Sequence, residues 1–369
     1  MVPILGSNMS QTLKCRTQHP MNSTLMKSLS HKPKNIPFIR CYAKKSGDVA
    51  KIMASATPTA APITFGFRNL LETFTVDVHR AENRPLNVPL IAPFTIATSR
   101  LDKVENVAIR VELSNGAVGW GEAPILPFVT AEDQTTAMAK ASEACAFLRR
   151  CPALTLGSML GEIAAILPGH QFASVRAGVE MAIIDAVANS IRVPLWRLFG
   201  GASNTITTDI TDMGLTPVLF EQPVHRDDWD GLRYVSNIAR ERYGVYVAAD
   251  ESCRSIDDVY KIAEGNLLDV INIKLAKVGV MGALEIIEKA KVAGLDLMIG
   301  GMVETRLAMG FAGQLAAGIG CFKFIDLDTP LLLADDPVLE GYEVSGATYK
   351  FTNARGHGGF LHWDNIAEY

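Results

Sequence analysis

Short apolar segments recur at a nearly constant spacing through the second half of this 369-residue chain. They begin near positions 217, 245, 269, 295 and 323, so successive starts fall 24 to 28 residues apart. Amphipathic segments with helical spacing lie between them, including Ser255–Glu264 and Met281–Ala293. Alternation of strand and helix at this period predicts parallel βα units that close into a barrel. In such barrels, the chemistry is done at the carboxyl ends of the strands.

Charged side chains stand at or just after the ends of these apolar segments. They are Glu221, Asp250, Lys274, Asp326 and Asp328. Taken alone, a carboxylate at a strand end is as often part of a structural ion pair as part of a functional site, and a lysine is commonly a surface residue. Alternating acids after a strand can also cap the next helix. The pattern therefore predicts one shared polar face and leaves its chemistry open.

Composition excludes several classes of protein. An apolar content of 48% with 20% charged residues is typical of a globular protein with a large core. No uncharged apolar run reaches 18 residues, so we expect no transmembrane helix and no membrane partner. Residues 1–47 hold eight Lys and Arg and no Asp or Glu, so the remainder is net acidic, which argues against nucleic acid as a partner. Six scattered cysteines predict reduced thiols.

We predict four regions along the chain. Residues 1–62 form a transit peptide or disordered linker, 63–190 an N-terminal α+β capping domain, 191–340 an incomplete β/α barrel, and 341–369 a C-terminal segment that returns to the capping domain. The α+β assignment depends on strand-like and helical segments on both sides of a hairpin turn. These segments are Phe74–Glu82, Val104–Leu113, the turn Ser114-Asn-Gly116, Val118–Pro124, Thr130–Arg149 and Ser174–Ser190.

One connection in the barrel region is too short. Ile206–Thr211 is predicted as the first barrel strand, and only residues 212–216 precede the next strand, which ends at Glu221. Two parallel neighbours need a crossover of about a dozen residues or more. Counting from Ile206, the sequence offers six strands, whereas a closed barrel needs eight. We therefore predict that two βα units, roughly 60 residues, are missing between Thr211 and Val218.

Five motifs together resemble the enolase superfamily, and more narrowly its muconate-lactonizing subgroup. They are Val118-Gly-Trp-Gly-Glu-Ala-Pro124, the Pro194-Leu-Trp and Leu198-Phe-Gly-Gly201 pair, Phe220-Glu-Gln-Pro223, Ala249-Asp-Glu-Ser252 and Ile273-Lys-Leu-Ala-Lys277. The segment Asp326-Leu-Asp328 is similar to the Asp-x-Asp of dipeptide epimerases. The resemblance covers about Thr73 to the C-terminus. It implies an α+β capping domain followed by a modified (β/α)7β TIM-like barrel.

The resemblance also implies an activity and a cofactor. Epimerases of this kind move the α-proton of L-Ala-D/L-Xaa dipeptides through an enediolate held by one Mg²⁺ per subunit. By motif, Glu221 and Asp250 match two metal ligands, and Lys274 matches one of two acid/base lysines. These residue types suit the reaction, because a hard cation stabilises the enediolate oxygens. A lysine near a cation also has its pKa lowered towards neutrality.

Three further residues match substrate contacts of the family. Thr211 ends the first predicted strand, and Asp326 and Asp328 match the clamp for the α-ammonium group of a dipeptide. The partner implied is thus a small-molecule dipeptide, with homo-oligomer formation left open. Lys277 is expected to support the site or to lie in solvent. Glu304 is expected to pair with a helix N-terminus, with orientation of polar groups in the site as the alternative.

The sequence departs from the family at the short connection. The family's second strand carries Lys-x-Lys with the other catalytic lysine, and its third strand carries the first metal-binding aspartate; nothing between Thr211 and Val218 matches either. This form is therefore expected to be inactive or barely folded, because loss of a general base costs about 10²–10⁴-fold and an unclosed barrel leaves sheet edges exposed. The alternatives are an enzyme like o-succinylbenzoate synthase or muconate cycloisomerase, and a non-catalytic truncated isoform.

Two further segments complete the predictions. Ile39–Ala43 resembles the end of a chloroplast transit peptide, which predicts a plastid location, with the cytoplasm as the alternative. The segment Pro93–Arg100 is predicted as a loop of the capping domain that selects the substrate side chain. Ser99 stands where epimerases for glutamate-containing dipeptides carry arginine, which favours broad or hydrophobic dipeptides.

Overall fold

The computed structural model describes residues 40–44, 66–96, 99–130, 132–208 and 216–368, all within one compact unit, Pro37–Tyr369. Its strands are β1 (Arg40–Lys44), β2 (Thr75–Val76), β3 (Val78–Ile96), β4 (Ser99–Leu113), β5 (Val118–Ala123), β6 (Leu154–Thr155), β7 (Thr205–Thr207), β8 (Thr216–Glu221), β9 (Tyr246–Ala249), β10 (Val270–Ile273), β11 (Asp296–Gly300), β12 (Phe324–Asp326), β13 (Val338–Glu340), β14 (Tyr342–Ser345), β15 (Thr348–Phe351) and β16 (Gly359–Leu361).

The described residues also contain ten α-helices. They are α1 (Phe67–Thr73), α2 (Pro127–Thr130), α3 (Gln134–Arg150), α4 (Leu156–Ile166), α5 (Ala173–Ser190), α6 (Leu195–Leu198), α7 (Trp229–Ile238), α8 (Ile256–Gly265), α9 (Leu275–Val292) and α10 (Arg306–Ile319). Short 3-10 helices cover His170–Phe172, Thr329–Leu332 and Trp363–Glu368. Within the described residues, no helix is both long and apolar enough to cross a bilayer.

The five strands predicted from the spacing of apolar segments are confirmed. Strands β8 to β12 run parallel in sequence order, with α7, α8, α9 and α10 between them. Apolar side chains from four of these strands form one buried cluster: Leu219, Ala248, Val270 and Met298. Strands buried in this way read as nearly continuous apolar runs, which explains why sequence found them. We refer to β8–β12 with their helices as the half-barrel.

The predicted first barrel strand differs from expectation. Strand β7 covers only Thr205–Thr207 and pairs antiparallel with β15, so it lies outside the parallel sheet. Residues 209–215 lie outside the described part of the chain. The described part of the predicted strand takes its partner from the C-terminal hairpin β14–β15, a contact about 140 residues away along the chain that local pattern cannot show. The remainder, up to Thr211, stays a prediction.

An antiparallel strand lies on the outer edge of β8. Strand β1 pairs with β8 over five Cα partners, from Arg40↔Glu221 to Lys44↔Thr216. The six-stranded sheet therefore has the order β1-β8-β9-β10-β11-β12. This strand was not predicted, because residues 1–62 were assigned to a transit peptide or linker.

The capping sheet has the order β3-β4-β5 and contains a hairpin longer than predicted. The predicted strand ended at Glu82 and Pro93–Arg100 was predicted as a loop, but β3 runs to Ile96 and β4 begins at Ser99. Prolines 85, 89 and 93 in β3 are unusual within a strand. They are tolerated because β3 is an edge strand of this sheet, where one side of the backbone needs no partner.

The C-terminal segment contacts the capping sheet. The indole rings of Trp363 and Trp120 lie 5.6 Å apart, and the Arg84 guanidinium lies 4.9 Å from the Trp363 ring. Aromatic pairs at this separation contribute beyond the area they bury. The boundaries of the four predicted regions stay a prediction.

Two glycines allow β5 to lie directly on helix α5. A Cβ added at Gly121 would stand 1.9 Å from the Gly178 carbonyl oxygen, and one at Gly119 would stand 2.1 Å from the Ala182 carbonyl oxygen. Both distances are far below van der Waals contact, and both obstacles are backbone atoms. The Gly-Trp-Gly motif therefore sets the distance between sheet and helix.

We expect Gly121→Ala to destabilise the chain by about 3 kcal/mol, the upper end of the about 1–3 kcal/mol that overpacking with backbone shifts typically costs. The matched control is Gly161→Ala in α4, where an added Cβ meets nothing within 4 Å. That change should stabilise the chain by about 0.5–1 kcal/mol through helix propensity. Urea unfolding of both variants measures the difference; similar midpoints would contradict the close-approach argument.

Glu132 is a buried acid that should make stability depend on pH. Burial raises the pKa of its carboxyl to about 8, although the Val175 N–H and the charge of Arg176 favour the ionised form. The folded state thus holds this proton more tightly than the unfolded chain does. Its stabilising contribution is fully present below pH 4.5 and is lost as pH rises towards 8.

Replacement of Glu132 by Gln should remove that loss. The free energy of unfolding of Glu132→Gln minus that of the unmodified chain should rise by up to about 1.4 kcal/mol for each pH unit between pH 5 and 7.5. Chemical unfolding at several pH values measures this slope. Parallel stability curves for the two chains would show that the carboxyl ionises normally in the fold.

Candidate active site

Three charged side chains converge at the carboxyl ends of neighbouring strands. Glu221 ends β8, Asp250 follows β9 and Lys274 follows β10, and all three are buried. The Lys274 Nζ lies 2.5 Å from Asp250 Oδ2, and Asn272 Nδ2 donates a 2.6 Å hydrogen bond to Glu221 Oε1. The predicted polar face therefore exists, and these residues share it.

Charge pairing dominates the protonation of this group. Burial would raise the pKa of Asp250, but the ammonium groups of Lys274 and Lys277 outweigh it and hold that pKa below its usual range. Burial would lower the pKa of Lys274, but Asp250, Glu221 and Glu251 raise it above its usual value. Three carboxylates near Lys274 therefore favour its protonated form, and the lowering of its pKa by a bound cation stays a prediction.

Lys277 and Gln222 hold Asp250 in place. Of the two roles left open for Lys277, the solvent-exposed one is excluded, because the side chain is 1% exposed. Its Nζ donates to Asp250 Oδ1 and to the Asp250 carbonyl oxygen, each at 2.6 Å. Gln222 Oε1 accepts the Asp250 N–H at 2.9 Å and the Ser252 N–H at 3.2 Å. Asp250 thus has little freedom to reorient.

The residues described do not make a complete magnesium site. In the part of the chain that the structure describes, no three His, Cys, Asp or Glu side chains are grouped closely enough to hold a metal ion. Both Asp250 carboxylate oxygens accept ammonium hydrogens from Lys274 and Lys277. Hard cations such as Mg²⁺ take oxygen ligands, and these two oxygens are already paired with ammonium groups. The predicted ligands Glu221 and Asp250 lie together, but they do not suffice for the ion.

Asp326 and Asp328 lie at the same edge of the sheet as Lys274, two strands away from it. Asp326 ends β12, where its Cα is in register with Gly300 of β11. A Cβ added at Gly300 would stand 3.3 Å from Lys274 Cε. Because Gly300 has no side chain, none lies between the lysine and β12 at this position. Asp328 is the N-cap residue of the 3-10 helix Thr329–Leu332, but its side chain makes no capping hydrogen bond. Side-chain capping is therefore not what this acid does.

The backbone between the two acids is held from both sides. Thr208 Oγ1 accepts the Leu327 N–H at 2.9 Å, and the Tyr349 hydroxyl donates to the Leu327 carbonyl oxygen at 2.8 Å. Thr211, the third predicted substrate contact, lies outside the described residues. Thr208, which directly follows β7, and Tyr349 of β15 thus position the Asp-x-Asp segment.

The acid at the α10 N-terminus is Glu122 rather than Glu304. Glu122 accepts hydrogen bonds from the Thr305 hydroxyl at 2.6 Å, the Thr305 N–H at 3.1 Å and the Ala308 N–H at 3.2 Å. Glu304 instead accepts the Met302 N–H at 2.6 Å. Glu122 ends the Gly-Trp-Gly-Glu motif, so it joins the capping sheet to the half-barrel.

Sequence reasoning missed several polar residues that organise the site. They are Asn272, Gln222 and Glu122. Each stood inside a motif already singled out or in the middle of a buried apolar strand. A polar side chain in such a place must find partners, because burial without a hydrogen bond is costly. An isolated polar residue within an apolar run was the sequence signal that could have identified them.

Family comparisons agree with this architecture. Residues 79–200 match the family described as Mandelate racemase / muconate lactonizing enzyme, N-terminal domain, and residues 207–364 match Enolase C-terminal domain-like. The chain belongs to the enolase superfamily, in its mandelate racemase and muconate lactonizing branch. The resemblance read from the motifs and the predicted fold class are thereby confirmed.

Particular relatives narrow the comparison. The L-Ala-D/L-amino acid epimerase of Populus trichocarpa is 60% identical over 402 aligned positions, covering 89% of this chain and 94% of the relative. A mandelate racemase/muconate lactonizing protein from Herpetosiphon aurantiacus has a solved structure with TM-score 0.72 and 32% identity, covering 78% of this chain and 99% of that one. The substrate-liganded L-Ala-D/L-Glu epimerase from Bacillus subtilis gives TM-score 0.71 and 26% identity, with coverage of 77% and 99%.

The alignment with the poplar relative also bears on chain length. It spans 402 positions although this chain has only 369 residues, of which 89% are aligned. The relative therefore contains several dozen residues without a counterpart here. That number agrees with the two βα units inferred from the short connection.

Proposed function

We propose that this chain is a dipeptide epimerase homologue that keeps one of the two acid/base lysines of the reaction. The observation that carries the proposal is the convergence of Lys274, Asp250 and Glu221 at the strand ends of the half-barrel. The 60% identity to the L-Ala-D/L-amino acid epimerase of poplar supports the substrate class. Epimerisation at the second α-carbon of L-Ala-D/L-Xaa dipeptides is then the ancestral reaction.

Each charged residue has a proposed task. Lys274 Nζ exchanges a proton with the α-carbon on the face of the substrate that it contacts. Asp326 and Asp328 bind the α-ammonium group, and Thr211 contacts the dipeptide. Glu221 and Asp250 are the carboxylates of an incomplete magnesium site, so no step is assigned to the ion in this form of the chain.

A single lysine limits the outcome of the reaction. Inversion requires proton removal on one face and delivery on the other, and the second face has no counterpart to Lys274 among the described residues. A proton taken and returned by Lys274 restores the original configuration. Because loss of one general acid or base costs about 10²–10⁴-fold, epimer formation should fall at least this far below that of the poplar relative.

We expect a chiral chromatography assay to show almost no L-Ala-D-Phe formed from L-Ala-L-Phe by this chain. The poplar epimerase, assayed at the same concentration with magnesium, is the positive control. Accumulation of the epimer at a comparable rate would contradict the one-lysine account.

Two other functions are separated from this one by specific observations. A lyase or cycloisomerase substrate without an ammonium group would leave Asp326 and Asp328 without a task, so binding of L-Ala-L-Phe but not N-acetyl-L-Ala-L-Phe supports the epimerase lineage. A non-catalytic isoform would bind neither. Isothermal titration with the two peptides therefore separates the epimerase lineage from both alternatives.

We also propose a plastid location, a finer statement than the comparisons give. It is supported by the basic, acid-free composition of residues 1–47 and by the poplar relative. A fusion of residues 1–47 to a fluorescent protein should enter plastids of plant cells. Diffuse cytoplasmic fluorescence would support the alternative.

A further inference from the structure

Strand β8 is built as an interior strand but stands at the end of the parallel run. Its neighbour on one side is β9, and its parallel neighbour on the other side would belong to the missing βα units. Leu219, at its centre, is fully buried. An interior strand left at an edge presents unpaired N–H and C=O groups that attract other strands.

The occupant of that edge in this structure is β1. Its register joins Arg40 to Glu221, Cys41 to Phe220, Tyr42 to Leu219, Ala43 to Pro217 and Lys44 to Thr216. This strand is antiparallel, whereas every other pair in the sheet is parallel. It therefore does not reproduce the missing units, which would supply parallel strands.

The pairing also has a weak point. The register shifts between Tyr42 and Ala43, so Val218 of β8 has no Cα partner in β1. Next to it stands Pro217, which has no N–H to donate. A five-residue strand with an interrupted ladder gains few hydrogen bonds for the backbone order it requires. Such a strand should detach more readily than the rest of the sheet.

Tethering explains why a weak strand still occupies the edge. Lys44 and Gly66, where the described chain resumes, are 22 positions apart in sequence. A tether of this order keeps the strand near the edge at about millimolar effective concentration. Its own chain therefore outcompetes another copy of the protein at ordinary concentrations.

We propose that Arg40–Lys44 is a displaceable edge cap that closes the open side of the half-barrel in place of the missing strands. The cap lies beside the candidate active site, because Arg40 is in register with Glu221. It also overlaps Ile39–Ala43, the predicted end of the transit peptide. Processing there would remove most of the cap, so targeting and protection of β8 depend on the same residues.

Hydrogen–deuterium exchange on the full chain tests the cap. Tyr42→Pro removes a backbone N–H from the middle of β1, and Gly47→Pro, three residues past the strand, is the matched control. Peptides covering 216–221 should exchange at least about 10-fold faster in Tyr42→Pro than in Gly47→Pro or the unmodified chain. Peptides of α5 (Ala173–Ser190) should exchange equally in all three.

Each outcome decides the proposal. Unchanged exchange of 216–221 in Tyr42→Pro overturns it, because β8 then needs no cover from β1. Loss of protection in α5 as well as β8 also overturns it, because β1 would then be an integral strand rather than a displaceable cap. If β8 alone exchanges faster, light scattering identifies the replacement: concentration-dependent association means a second copy, and a stable monomer means an open edge. None of these readouts measures catalysis, so they stand apart from the test of function.

Discussion

Inserting the two missing βα units should turn this chain into an active dipeptide epimerase. The inserted segment would come from the poplar relative and replace the short connection between Thr211 and Val218. It should supply the second acid/base lysine and the third carboxylate that the described residues lack. Epimerisation of L-Ala-L-Phe should then rise by at least about 10²–10⁴-fold, the contribution of one general base.

The matched control for this insertion is the same chimera with Lys274→Met. If Lys274 serves one face of the substrate, the control should lose most of the activity that the insertion restores, while it keeps the restored fold. Circular dichroism and thermal unfolding of the two chimeras establish that the folds are equal. An active Lys274→Met chimera would remove Lys274 from the proposed reaction.

Replacement of Asp250 should have the largest effect of any single site residue on stability. Asp250 is the carboxylate shared by the buried ammonium groups of Lys274 and Lys277, at 2.5 and 2.6 Å. Asp250→Asn leaves two buried charges without their common partner. Breaking a buried pair in this way costs about 3–5 kcal/mol. Urea unfolding should show a correspondingly lower midpoint.

A surface ion pair of the same length provides the control. Lys323 and Asp296 lie 2.5 Å apart, but their side chains are 39% and 41% exposed. Asp296→Asn should therefore cost only about 0–1 kcal/mol. Equal losses in the two variants would mean that the Asp250 cluster is screened by water and does not hold the strand ends together. Adding Lys277→Met to Asp250→Asn should recover part of the loss.

Sequence predicted the parts of the fold that local pattern determines. Strands β8 to β12 are buried apolar runs of regular spacing, and Glu221, Asp250 and Lys274 occupy their carboxyl ends. Because parallel strand ends meet at one edge of a sheet, their convergence followed from the order of the elements. The short connection was found by the same counting.

Other parts depend on contacts between distant segments. The partner of β7 is β15, and the partner of β8 is β1, which lies about 175 residues earlier in the chain. Nothing within a five-residue segment such as Arg40–Lys44 specifies such a partner. The roles of Gln222 and Asn272 likewise depend on which strand ends are neighbours in space. Motifs marked their positions, but only the assembled sheet shows what they bind.

The protonation of Lys274 is a part of the site that motif matching alone does not determine. Motif matching assigned Lys274 an acid/base role, whereas the protonation of this lysine depends on every charge near it. Three carboxylates face it in the described structure. These carboxylates favour the protonated form of the lysine.

Deuterium incorporation at the α-carbon tests the one-lysine site most directly. The chain is incubated in D₂O with L-Ala-L-Phe or L-Ala-D-Phe, beside the poplar epimerase, and each product is examined by NMR. The account predicts incorporation at least about 10²-fold slower than with the poplar enzyme, confined to one diastereomer and without inversion. Incorporation into both diastereomers at the poplar enzyme's rate, with the opposite epimer appearing, would contradict it.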